Sequence, residues 1–199
     1  MMKKLLIILL ILITFSNVNA QKKMYFGVKA SYGLTDWKWN IYPEPSVSGW
    51  GLTLGGFADY HFLERGWLRV EVDYSTYNFN LSKNNGYDVT FLEFPITLNA
   101  KLYKGLSSYF GLGVGFKMSD SAYWMSSDET LSQIPILSIY RPEYLKSTNV
   151  FFPVGFSYKF DFGIFLDLRM NLNMNDMGNS SVEFAKGLNT YSIGVGLKF

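Results

Sequence analysis

The chain has 199 residues, with 18 Lys or Arg, 16 Asp or Glu, one His and no Cys, which excludes disulfides, thiolate-held metals and a lipid-bearing Cys. Lys3 and Lys4 sit in an N-terminal segment expected to be removed, and without them 16 basic residues face 16 acidic ones, a balance with no electrostatic footprint for nucleic acid. Aromatic residues make up 18% of the chain, yet no apolar run after residue 20 is long enough for a membrane helix. Any membrane crossing must then be made by a closed sheet, because lipid offers unpaired backbone groups no partner.

Residues 1–20 read as a secretory signal: Lys3 and Lys4 as the positive start, Leu5 to Phe15 as the apolar stretch, Val18-Asn19-Ala20 as the cleavage site. The apolar stretch is too short for the ~20 residues of a spanning helix. From there on the chain alternates with period two, the signature of strands with one apolar face. Residues 24–35 place Phe26, Val28, Ala30, Tyr32 and Leu34 on one face against Lys29 and Ser31. Strands follow near 49–62, 67–78, 89–102, 106–118, 150–160, 164–175 and 190–199, the last ending at Phe199. Phe57 alone breaks the second pattern by falling on the polar face. Pro95 and Pro153 fall inside strands, where a missing donor predicts local bulges.

The connections alternate in length. Glu64-Arg65-Gly66, Tyr103-Lys104-Gly105 and Asp161-Phe162-Gly163 read as three-residue hairpin loops, each with Gly where positive φ is needed. Longer links are expected at 36–48, 79–88, 119–149 and 176–189. The polar face is rich in Gly and Ser, and aromatics gather near strand ends on the apolar face. A soluble lipocalin-like barrel or sandwich would point its apolar face inward. Here the small residues suit a narrow lumen and the aromatics suit two interfacial girdles. The expectation is therefore an all-β, eight-stranded antiparallel up-and-down transmembrane β-barrel, with residues 21–199 as the barrel domain. Ten strands would need 119–149 to supply two more, against Pro135 and Pro142.

The pattern over 21–199 resembles the outer-membrane β-barrel domain family, the small OmpA/OmpX-type or porin-family barrels of Gram-negative bacteria, in their Bacteroidota-like branch. The final strand, Tyr191 to Phe199 with alternate hydrophobes and a terminal aromatic, carries most of that resemblance. The start at Gln21 and the segment from Phe91 through Glu93 and Pro95 to Leu98 add to it. The resemblance implies outer-membrane lipid as the surroundings and the barrel-assembly machinery as a partner through the C-terminal strand. It implies no single shared activity.

Lumen-facing charges form the main constellation: Lys29, Asp59, Arg69, Glu71, Asp73, Asp167 and Arg169 at similar depths. Opposite signs at one depth predict a structural plug of ion pairs; the alternative is a narrow pore or a lipid- or solute-handling barrel. Glu93 and Lys117 are expected to pair across the hairpin that turns at 103–105, where facing positions sum to roughly 208–210. A lumen-facing change such as Gly113→Ser is expected to be mild beside a lipid-facing Val114→Arg. His61 is the one histidine and falls on the lumen face at the turn end, and no catalytic, metal or cofactor constellation accompanies it. The protein therefore reads as non-enzymatic, structural or surface-interacting, with a surface protein or glycan as the candidate partner. The 119–149 link is unusually apolar for a solvent loop, and Tyr123, Trp124, Ile136 and Tyr140 are its candidate contact residues.

Overall fold

The computed structural model describes residues 24–39, 46–82, 85–124, 146–175 and 185–199. The expected signal, residues 1–20, lies outside them. Eight strands are present: β1 Met24–Trp39, β2 Ser46–His61, β3 Gly66–Ser82, β4 Asn85–Tyr103, β5 Leu106–Trp124, β6 Thr148–Lys159, β7 Ile164–Asn173 and β8 Ala185–Lys198. Each pairs antiparallel with its neighbours in chain order, and β8 returns to β1 to close the barrel. Phe26 and Phe199 exchange backbone bonds of 3.1 and 2.9 Å beyond the last paired residues of that seam. Because β5 pairs directly with β6, the wall has no place for a ninth and tenth strand.

The two faces divide as the period predicts. Val28, Leu34, Leu54, Val72, Leu112, Phe156, Leu168 and Ile193 are all exposed on the outside. Lys29, Asp59, Glu71, Asp73 and Thr97 are buried within. A row of exposed apolar side chains around a polar interior is the reverse of a water-soluble barrel and fits a wall bathed in lipid.

Three details depart from expectation. The strands run on past their predicted ends: β3 and β4 remain paired to Ser82↔Asn85, so 79–88 is a hairpin rather than a long loop, and β5 reaches Trp124. Asp88, which fell in the expected link, sits opposite Asn78, the last residue of the expected third strand, and the two hydrogen-bond. The prolines cause no bulge. The β3–β4 ladder skips from Val70↔Ile96 to Asp73↔Glu93 around Pro95, and β5–β6 skips from Phe110↔Val154 to Gly113↔Phe151 around Pro153, with register unchanged in both. Only the missing donor is lost. The turns also differ among themselves. Gly163 has φ +94° as expected, but in the second turn the positive φ (43°) belongs to Lys104, and Gly66 instead opens β3 after bonding both ways with Leu63. The three turns lie at one end of the barrel, with both ends of the described chain. The opposite end carries the remaining links.

Candidate functional site: the lumen and its two layers

The inward side chains of the turn-side half and middle build two ion-pair clusters, one around Asp59 and one around Glu71. Asp59 on β2 and Arg69 on β3 are direct register partners, and Arg69 donates from Nε to Asp59 Oδ1 at 2.6 Å and from a terminal nitrogen to Oδ2 at 3.0 Å. Lys198 reaches the same carboxylate from β8 at 2.7 Å. Glu71 accepts a two-pronged pair of bonds from Arg169 on β7, 2.7 and 2.8 Å, and a further bond from Lys29 on β1. Lys29 also meets Asp73 at 2.8 Å. Tyr109 links the Glu71 cluster onward, accepting from Arg169 at 3.1 Å and donating to Asp167 at 3.0 Å. Ions taken out of water keep their charge only with such partners, and two-pronged guanidinium–carboxylate geometry is the arrangement best able to offset desolvation. The structure thus brings together Lys29, Asp59, Arg69, Glu71, Asp73, Asp167 and Arg169. Lys198 and Tyr109 were missed, although the inward phase of their strands marks both.

Glu93 and Lys117 are placed differently. Their register is as expected: Glu93 faces Gly115 and Phe91 faces Lys117, so the two lie one diagonal step apart. Yet Glu93 accepts from Ser75 at 2.8 Å and Tyr77 at 3.0 Å, while Lys117 pairs with Asp120 at 2.8 Å. The cause is a bulge. Phe91 pairs with Lys117 and Thr90 with Ser119, so Met118 is the extra residue and Asp120 turns to the face of Lys117.

The loop-side half is filled with rings. Tyr77, Phe79, Tyr87, Phe91 and Phe151 are all buried, with Phe79, Phe91 and Phe151 only 1% exposed. All five hold odd, inward positions on β3, β4 and β6; Phe79 and Tyr87 escape the sequence pattern because the 79–88 segment reads as a link, whereas Tyr77, Phe91 and Phe151 lie within expected strands. Glycines on neighbouring strands leave the space. A Cβ on Gly113 would lie 2.3 Å from the Phe151 ring, and one on Gly51 2.6 Å from Tyr77. Gly113→Ser is therefore not a mild change, since its side chain would need the volume Phe151 occupies. The same device explains Phe57, which points inward over Gly27, packs edge-on against Phe165 and carries the Arg69 guanidinium 4.0 Å above its ring. Between the two layers a cavity of about 20 Å³ is lined by Lys29, Asp73, Glu93, Arg169 and Asn171, enough space for about one water. Asp73 Oδ1 and Asn171 Oδ1 have no hydrogen-bond partner among the described residues.

His61 lies at the turn end, stacked on Trp67 at 5.0 Å with Lys198 Nζ 3.1 Å from its Nε2. Among the described residues no three His, Asp or Glu side chains are grouped to hold a metal. Of the expected loop contacts, the backbone of Tyr123 and Trp124 ends β5, and Ile136 and Tyr140 lie outside the described residues.

A family profile described as outer membrane protein beta-barrel domain matches residues 5–199. Among solved structures, Neisserial surface protein A is similar at 18% identity and a TM-score of 0.62, over 87% of this chain and 97% of that one. Ail, the attachment invasion locus protein of Yersinia pestis, is similar at 12% identity and a TM-score of 0.50, over 90% of this chain and 100% of that one. These likenesses show the fold alone. No curated protein sequence matches.

Proposed function

Because the chain belongs to the outer membrane protein beta-barrel domain family and resides in the bacterial outer membrane, we propose that it is a closed, non-enzymatic scaffold that acts through what its loop end presents at the cell surface. Short turns face the periplasm in such barrels, which directs the links after β1, β3, β5 and β7 outward. The observation that carries the reading is the double filling of the lumen, a paired ionic layer beneath an aromatic one. A side-chain-filled interior is what eight strands leave room for. The β5–β6 link is the longest, and its apolar residues give a surface protein or glycan something to grip. Replacing residues 125–145 with a short Gly/Ser linker should leave assembly and heat-modifiable gel mobility intact, since loops add little to the ladder. Adhesion of cells displaying the protein should be lost. Adhesion that persists undiminished, or a variant that no longer assembles, counts against the scaffold.

A further inference from the structure

At the turn end the lumen opens into a basin of about 600 Å³. Its wall is unlike the ion pairs beneath it. Lys101 stands near the end of β4, Lys104 in the β4–β5 turn and Lys159 at the end of β6, and among the described residues none of the three has a carboxylate within 4 Å. Five basic side chains line the basin, these three with Arg69 and Lys198, against the two acids Glu64 and Asp161. Arg69 and Lys198 are already committed to Asp59 on the floor, so the cations left open to a ligand are the three lysines. The hydroxyls of Ser107 and Ser157, 2.8 Å apart, add donors on the same wall.

Concave cationic surfaces with low-dielectric walls concentrate anions. The three lysines are exposed at the rim of a concave wall on which cations outnumber acids, so their ammonium groups face the basin as the ones open to an incoming anion. We infer that the turn-side mouth binds a phosphate-bearing anion, held by Lys101, Lys104 and Lys159 and by the serine hydroxyls. The volume exceeds that of inorganic phosphate and admits the organic part of a phosphate ester, which Phe160 and Phe165 can cover. Tyr103 and Phe162, 68% and 70% exposed on the same rim, lie where aromatic side chains meet the interface, which puts the mouth level with lipid phosphates. A lipid headgroup and a soluble phosphate ester share this chemistry. The inference does not rest on the loop-end reading.

The test uses the full chain refolded in maltoside micelles, which carry no phosphate, with amide NMR shifts of Gly105, Ser107 and Ser157 as the readout. Glycerol 1-phosphate should shift these amides saturably, where chloride at equal ionic strength does not. Lys101→Gln with Lys159→Gln should weaken binding about tenfold or more, the scale of a lost charge-assisted hydrogen bond. Glu64→Gln should tighten it, an opposite sign that a folding defect does not mimic. In a second arm phosphatidylglycerol is mixed into the micelles. Competition with glycerol phosphate identifies a headgroup site, and a response to the soluble ester alone identifies a solute site; both support the inference. Shifts that never saturate, or that are unchanged in the lysine double variant, overturn it.

Discussion

The two halves of the lumen solve one packing problem with opposite chemistry. Near the turns, charges from β1, β2, β3, β7 and β8 converge and are paired in networks such as Lys29–Glu71–Arg169. Near the loops, rings from β3, β4 and β6 fill the same cross-section, seated on glycines of neighbouring strands. Ion pairs are directional and fail if one member is removed; rings are space-filling and fail if volume changes. Each half should therefore break in its own way.

The largest effect is expected at Glu71. Glu71→Gln leaves Arg169 without its two-pronged partner, and loss of one member of a buried pair costs about 3–5 kcal/mol. The urea midpoint of the folded barrel in micelles, read by tryptophan fluorescence, should fall accordingly. Val114→Arg comes next, with a guanidinium set against hydrocarbon at a cost of about 2–4 kcal/mol near mid-bilayer. Heat-modifiable mobility of the variant in lipid checks it; an effect smaller than that of an inward polar change would invert the assigned faces. In the aromatic half, Gly113→Ala forces Phe151 to move and should cost about 1–3 kcal/mol by overpacking. Gly56→Ala is the control. Its added Cβ meets nothing nearer than a backbone oxygen at 3.7 Å, so the unfolding free energy from its urea curve should change by less than about 0.5 kcal/mol. Equal midpoints for the two glycine variants would mean that the rings are not seated as described.

The strand count, the faces and the closure were legible because one side of every strand must be apolar over the thickness of the membrane, and a period-two pattern records that directly. The lumen charges were legible for the same reason, as residues in phase. What escaped lies beyond the apolar belt. There the outward face turns polar, as at Asp88 opposite Asn78, and a strand can no longer be told from a loop by composition. With those strand ends went the inward rings Phe79 and Tyr87. The Met118 bulge escaped too, since an extra residue leaves no mark in the alternation until a partner strand fixes it, and so Lys117 was assigned to Glu93 rather than Asp120. The φ of Lys104 shows the same limit, because the glycine beside it was the better candidate by residue type alone.

The most direct test of the doubly filled lumen is single-channel recording of the purified, refolded full chain in planar lipid bilayers. With ions paired below and rings packed above, insertion should add no stable ohmic conductance, and the linker in place of residues 125–145 should not create one. A steady conductance in the intact chain that survives that replacement would contradict a closed barrel and assign the lumen to transport.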